Sequence, residues 1–126
     1  MLNRTDTADR AISAFNEAIN RRDLQGLREL MTDDHRFIDS DGNLIRGKEE
    51  VLQAWRGFFN AFPDYRNDWS STIEIGDMQI AVGRSTCSNE PALDGPAIWA
   101  ARSSQGKVSE WRVYEDTPAN RRMLGI

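Results

Sequence analysis

The sequence has little of what supports disulfide, metal-bound or membrane-spanning structure. It contains one cysteine, Cys87, and one histidine, His35, among 126 residues. A single thiol excludes an internal disulfide framework and fits the reducing cytoplasm, and one histidine without clustered thiols argues against a zinc site. No apolar run approaches the ~20 residues that cross a bilayer, and MLNRTDTADR lacks the apolar stretch of a secretory signal. We therefore expect a cytoplasmic protein with no metal, no other cofactor and no membrane partner.

A concentrated basic surface is also missing. The formal net charge is −4, with 16 Lys and Arg against 20 Asp and Glu. Phosphate backbones are bound through clustered positive charge, and Arg121-Arg122 is too short to supply it. We therefore expect no nucleic-acid partner. The length is that of one domain, predicted to span residues 1–126.

The first half of the chain has the periodicity of helices. Apolar residues at spacings of three and four over Ala8–Ile19 predict an amphipathic helix, with Thr5 or Thr7 as its N-cap. Asp23 is predicted to cap a second, shorter helix that runs through Met31. HRFID then alternates as a strand does, and SDGN supplies a turn. A third helix is predicted in KEEVLQAWRGFFNAF, which the following proline ends.

The second half changes to the period of strands. Four alternating stretches are separated by Gly76-Asp77, NEPALDGP and Gln105-Gly106. The last stretch carries two adjacent acids, Glu115 and Asp116, and then breaks into a short basic tail. Helices first and strands afterwards predict an α+β fold with helices packed on one face of an antiparallel sheet.

The order of these segments resembles a known family. A strand ending FIDSDG, G-K-E-E-V before a helix ending AFPD, and E-W-R-V-Y-E-D before a tail R-R-M-L-G are similar to the SnoaL-like branch of the nuclear transport factor 2-like superfamily. The resemblance covers roughly residues 8–126. It implies a curved mixed or antiparallel sheet that forms a cone-shaped barrel, closed by the N-terminal helices around one pocket. It also implies a homodimer that pairs through the sheet.

Members of this family share the pocket but differ in chemistry. The epoxide hydrolases would need acids where this chain has Thr86 and Val113, and the ketosteroid isomerases a tyrosine where it has Phe15. The polyketide cyclases use one aspartate as general acid/base in an aldol closure, and Asp116 resembles it. We therefore predict a cofactor-free lyase or isomerase that performs acid/base chemistry on a hydrophobic carbonyl substrate. The alternative is a non-catalytic domain that binds a hydrophobic small molecule.

Three acids are candidates for the catalytic base: Asp116, Asp39 and Glu115. On a regular strand Glu115 shares the face of Trp111, whereas Asp116 lies on the opposite face. Strand parity therefore predicts that Glu115 faces the pocket. The resemblance instead implies that Asp116 is the general acid/base. A solvated strand end paired with an arginine of the tail is the alternative for both. Asp39 matches the base of the ketosteroid isomerases, with a turn-forming aspartate as its alternative.

The other expected pocket residues are mainly aromatic. The strand tryptophans could line a pocket for a flat apolar ligand, or pack in a sheet face or a dimer interface. Arg84 lies mid-strand and is placed in the cavity in preference to an interface, and His35 is expected at the surface or rim. The predicted substrate-binding residues are Trp111, Val113, Trp99, Arg84, Phe37, Phe15, Trp69, Tyr114 and His35.

Overall fold

A computed structural model describes residues 4–126, with side chains from Arg10 onwards. Three helices and two strands come first, and four strands and a short helix follow. In chain order the elements are α1 (Arg4–Arg21), α2 (Leu24–Leu30), β1 (Met31–Ile38), β2 (Leu44–Arg46), α3 (Lys48–Ala61), β3 (Arg66–Ile75), β4 (Met78–Thr86), a 3₁₀ turn (Pro91–Leu93), β5 (Gly95–Ser104), β6 (Lys107–Glu115) and α4 (Pro118–Leu124).

The predicted helices are present, and local chemistry sets their ends. The Asp23 carboxylate accepts a hydrogen bond from the backbone N–H of Gly26 at 2.9 Å, so Asp23 caps α2 as predicted. The helix ends one residue earlier than predicted, because Met31 is extended and fully buried at the start of β1. Helix α1 begins at Arg4. The predicted caps Thr5 and Thr7 lie outside the described side chains.

Two elements were absent from the sequence-based prediction. The three-residue strand β2 pairs antiparallel with β1 after the SDGN turn. The tail, predicted as a short basic segment, forms α4. Thr117 caps this helix by accepting a hydrogen bond from Asn120 N at 3.1 Å, and Pro118 occupies the first turn. Leu124 of α4 is buried against Ile80 on the sheet.

The six strands form one mixed sheet of order β2-β1-β6-β5-β4-β3, which does not close into a barrel. Only β1 and β6 pair in parallel among its neighbours. A register shift between Trp69 and Ser71 bends β3. Gly83 of β4 faces Trp69 at this point, and a Cβ there would lie 2.1 Å from the Asp68 carbonyl oxygen. The close approach of the two backbones therefore requires glycine.

The helices α1 and α3 pack on one face of the sheet, called the inner face below, and α4 packs on the outer face. The Phe15 ring of α1 lies 4.6 Å from that of Trp111 and 5.5 Å from that of His35, centre to centre. His35 is fully buried, so its predicted position at the surface or rim is wrong. The physical reason is that β1 begins at Met31, which places His35 mid-strand beneath α1.

Candidate ligand-binding pocket

The inner face of the sheet and helix α3 enclose a cavity of about 620 Å³. This volume lies within the range of small-molecule sites. Strands β5 and β6 supply one apolar wall, and α3 supplies the other. The residues of these two walls are Ala97, Trp99, Trp111 and Val113 on the sheet, and Val51, Ala54, Trp55 and Phe58 on the helix.

Contacts between aromatic rings hold the α3 wall in position. Phe37 of β1 meets Trp55 edge to face, with ring centres 5.5 Å apart. Tyr65 meets Phe58 in the same way at 4.8 Å. Such edge-to-face contacts fix the ring planes relative to one another. The cavity therefore presents preformed aromatic walls, which suit a flat apolar molecule.

Carboxylates lie at the exposed rim of the cavity. Because β1 runs parallel to β6, the C-terminal ends of both strands lie at the same end of the sheet. Asp39 follows β1, and Glu115 and Asp116 lie at the end of β6; all three border the cavity. Strand β6 ends at Glu115, and Asp116 follows it directly.

The Asp39 carboxylate is engaged in the turn after β1. Its Oδ1 accepts hydrogen bonds from the backbone N–H groups of Asp41 and Asn43, each at 2.9 Å, and its Oδ2 accepts one from Asn43 Nδ2 at 3.1 Å. Burial acts to raise the pKa of Asp39, but these hydrogen bonds outweigh it and lower the pKa below its ordinary value. Asp39 forms the turn that was the alternative to a catalytic role.

The Asp116 carboxylate forms a bidentate pair with Arg121 of α4. Arg121 Nε lies 2.6 Å from Oδ1 and Nη2 lies 2.8 Å from Oδ2. The hydrogen bonds from Arg121 lower the pKa of Asp116. The Asp116 side chain is 14% exposed, whereas Glu115 is an exposed residue. The arginine pairing proposed as an alternative thus exists, and it coexists with a position at the cavity.

A second polar group lies across the cavity, and the sequence did not single it out. Asn67 of β3 and Ser85 of β4 are opposite each other in the strand register. Tyr65 precedes Asn67 by two residues, and all three border the cavity. Burial raises the pKa of Tyr65 to about 12, although hydrogen bonding to Ser85 and Asn67 opposes the shift. Tyr65 is therefore a neutral hydroxyl at physiological pH.

The family model described as the SnoaL-like domain matches residues 12–114. The chain belongs to the SnoaL-like domain family. The resemblance inferred from its motifs is thereby confirmed. Among curated proteins, none matches the chain significantly.

Solved structures extend the likeness of this SnoaL-like chain at low sequence identity. A candidate polyketide cyclase from Sinorhizobium meliloti is 16% identical with a TM-score of 0.75, over 89% of this chain and 99% of that one. A nuclear transport factor 2-like protein of unknown function from Mesorhizobium loti is 18% identical with a TM-score of 0.76, over 93% and 97%. An LEH-like epoxide hydrolase from M. tuberculosis is 18% identical with a TM-score of 0.75, over 85% and 76%.

These likenesses establish the fold of the SnoaL-like chain, and at this identity they establish nothing more. The predicted fold class, an α+β domain with a curved sheet and helices around a pocket, is confirmed. The cone-shaped barrel that the resemblance implied is not formed, because the edge strands β2 and β3 do not pair with each other. Within residues 4–126 no helix is long and apolar enough to cross a membrane. Among the side chains that the structure describes, from Arg10 to Ile126, no group of three or more His, Cys, Asp or Glu is placed to hold a metal ion.

Five of the predicted substrate-binding residues of the SnoaL-like domain border the large cavity: Trp111, Val113, Trp99, Phe37 and Tyr114. The Tyr114 ring packs with the outer-face cluster, and the Arg112 guanidinium lies 4.7 Å from its centre. Tyr114 therefore borders the cavity at the strand end, while its ring serves the opposite face.

The predicted position of Arg84 inside the cavity is wrong. Arg84 is exposed, whereas its neighbour Ser85 is buried at the cavity wall. Because side chains alternate along β4, Arg84 shares the outer face with Val82 and Ile80. The apolar neighbours that suggested a cavity belong to the cluster beneath α4.

Phe15, Trp69 and His35 lie outside the large cavity. Phe15 of α1 and His35 of β1 are fully buried, and their rings stack on each other between the helix and the sheet. The Trp69 ring lies 5.9 Å from that of Trp111 and 6.1 Å from that of Trp99, centre to centre. Trp69 instead borders a smaller cavity of about 160 Å³ on the α1 side of the sheet.

Proposed function

We propose that this SnoaL-like chain binds a flat, mainly apolar small molecule in its large cavity. The observation that carries the proposal is the preformed aromatic enclosure of about 620 Å³ between α3 and the sheet. Tryptophan and phenylalanine walls bind through apolar contact and ring stacking. The polar groups are confined to the rim and to the β3–β4 side, so they orient a ligand without making the interior hydrophilic.

Acid/base catalysis on a hydrophobic carbonyl compound is a second candidate function. The observation that favours it is that Asp39, Glu115 and Asp116 all border the same cavity. The lowered pKa of Asp39 and of Asp116 makes each a weak base. Such a base suits a substrate whose C–H bond is already acidic, such as a methylene between two carbonyl groups. Aldol cyclisation, isomerisation and related lyase reactions of such compounds belong to this class.

Filling the cavity tests the binding proposal. Ala54 is an exposed residue of α3 that borders the cavity, so Ala54→Trp adds bulk there without cutting into the core. We expect the affinity for 2-methoxynaphthalene, followed by quenching of tryptophan fluorescence, to fall at least tenfold. The control is Gln53→Trp. Gln53 is the exposed residue directly before Ala54 in the same helix, and it does not border the cavity. Failure of the wild type to bind any flat aromatic probe would overturn the proposal.

Proton transfer tests the catalytic candidate separately. The probe is 1-phenyl-1,3-butanedione, and the readout is exchange of its central methylene protons for deuterium, followed by NMR. We expect the wild type to accelerate exchange over buffer and Asp116→Asn to lose at least tenfold of that acceleration, with probe affinity nearly unchanged. Asp77→Asn is the matched control, because Asp77 also pairs with an arginine, Arg102, at 2.5 Å but lies far from the cavity rim. Exchange at the buffer rate rejects this candidate and leaves binding intact.

A further inference from the structure

The charged side chains around the large cavity are all of one sign. We propose that the cavity selects cationic ligands, in which a flat apolar body carries an ammonium or similar positive group at one end. The Glu115 carboxylate at the rim binds that positive group. This proposal rests on the proposed binding function and adds the chemical class of the ligand.

Acidic side chains border the cavity without basic ones to balance them. Among the described residues, no Lys, Arg or His borders the cavity, whereas four carboxylates do: Asp39, Asp94, Glu115 and Asp116. Of these four, only Asp116 forms an ion pair with a described side chain, and its partner Arg121 is engaged by both carboxylate oxygens. Three of the four negative charges are therefore uncompensated within this part of the chain. Such a field attracts a positive ligand and disfavours a negative one.

Glu115 differs from the other carboxylates in having no partner for its side chain. The Asp39 carboxylate is held in its turn by backbone N–H groups, and Asp94 Oδ1 accepts a hydrogen bond from the Cys87 backbone N–H at 2.6 Å. At Glu115 only the backbone carbonyl oxygen is engaged, by Asn120 Nδ2 at 2.8 Å. Its carboxylate forms no ion pair with any side chain from Arg10 onwards. Glu115 is therefore the carboxylate available to a ligand.

The strand register places Glu115 on the inner face of the sheet. Glu115 of β6 is opposite Ala97 of β5, just as Val113 is opposite Trp99. Residues directly opposite each other on paired strands lie on the same face, and alternate residues along a strand share that face. Because Ala97, Trp99 and Val113 line the cavity, Glu115 continues this wall to the rim.

The aromatic walls favour the same class of ligand and indicate its length. Trp55, Trp99 and Trp111 border the cavity, and the faces of tryptophan rings attract cations. The same ring faces disfavour a carboxylate. Glu115 lies two residues beyond Val113, which is about 7 Å along the strand. A positive group at Glu115 therefore fits a body of about two fused rings that lies between the tryptophans.

Naphthalenes that differ in the charge of one short substituent test the proposal by calorimetric titration. The probes are 2-naphthylmethylamine, which is protonated at neutral pH, the neutral 2-naphthalenemethanol and the anionic 2-naphthoate. We expect the wild type to bind the amine about fivefold more tightly than the alcohol, and the carboxylate more weakly than both. Glu115→Gln should reduce the preference for the amine below about twofold and leave the affinity for the alcohol within about twofold. Glu74→Gln is the matched control and should keep the preference, because Glu74 is an exposed strand carboxylate that borders neither cavity.

The outcomes separate the charge selectivity from the binding function. Equal affinity of the wild type for the amine and the alcohol overturns the selectivity and leaves the binding function standing. A preference for the amine that survives in Glu115→Gln, or that is lost equally in Glu74→Gln, overturns the role of Glu115. Absence of binding for all of these naphthalenes in the wild type overturns the proposed function itself.

Discussion

At the scale of single residues, the buried His35 makes stability depend on pH. Burial lowers the pKa of His35, while the hydrogen bond from its Nδ1 to the Val108 carbonyl oxygen, at 2.7 Å, and the charges of Asp34 and Glu110 act against the shift. In the unfolded chain the imidazole titrates near 6.5. As pH falls below about 6.5 the unfolded state takes up the proton first. Stability is therefore complete above this pH and declines below it.

We expect the free energy of unfolding to fall by at most about 1.4 kcal/mol per pH unit between the unfolded and folded pKa values of His35. Urea denaturation at pH 7.5, 6.5 and 5.5 measures this slope. The variant His35→Gln cannot titrate and should show a flatter profile over this range. An equally steep profile in the variant would assign the pH dependence to other groups.

Alanine substitutions at two glycines in different surroundings are expected to change stability in opposite directions. A Cβ on Gly83 would lie 2.1 Å from the Asp68 carbonyl oxygen and 2.7 Å from the Trp69 Cα, and both are backbone atoms that cannot turn aside. We expect Gly83→Ala to destabilise the fold by at least about 1–3 kcal/mol. A Cβ on Gly57, within α3, meets nothing within 4 Å. Gly57→Ala should stabilise by about 0.5–1 kcal/mol, and thermal denaturation of both variants checks the pair.

At the scale of elements, helix α4 supplies Arg121, which lowers the pKa of Asp116 at the cavity rim. Removing the guanidinium in Arg121→Met should raise the pKa of Asp116 towards the ordinary aspartate value of about 3.9, because the largest cause of its lowering is lost. The carboxyl carbon of Asp116, titrated by NMR, reports the shift. Arg122→Met is the matched control, since it removes the adjacent charge and leaves the pair with Arg121 intact. A titration unchanged in Arg121→Met would contradict the assignment.

The elements also show how far the sequence predicts the fold. Helices α1 and α3 and strands β3 to β6 carry sustained periodicity, and all were predicted. The three-residue strand β2 is too short to alternate. Helix α4 depends on tertiary contact, since Leu124 is buried in a cluster with Ile80 of β4 and Ile98 of β5. The local periodicity of a sequence does not predict such tertiary contacts.

The residues of the candidate site likewise include some that the sequence predicted and some that it did not. Trp99, Trp111 and Val113 were predicted among the substrate-binding residues, and all three lie on the cavity wall. Ser85 and Asn67 meet only through the register of β3 against β4, which the sequence does not specify by itself. Asp116 borders the cavity directly after the end of β6, and boundaries of elements are the least predictable feature of a sequence.

At the scale of the whole molecule, the homodimer implied by the family resemblance stays a prediction. Helix α4 covers the outer face over Ile80, Ile98 and Ala100. Ile73, which is opposite Ile80 on the edge strand β3, is 49% exposed. A stable dimer buries about 800 Å² on each partner. We expect such an interface to include Ile73 and the uncovered outer face of β3 and β4.

Sedimentation of two charge-insertion variants tests this interface. Ile73→Glu places a carboxylate in the expected contact, where burying an unpaired charge is costly, and should convert the wild-type dimer to a monomer without loss of folding. Leu44→Glu is the matched control, because Leu44 is 47% exposed on β2 at the opposite edge of the sheet. It should remain dimeric. A wild type of monomeric mass contradicts the dimer itself, whereas dissociation of Leu44→Glu alone would move the interface to the β2 edge, away from the outer face of β3 and β4.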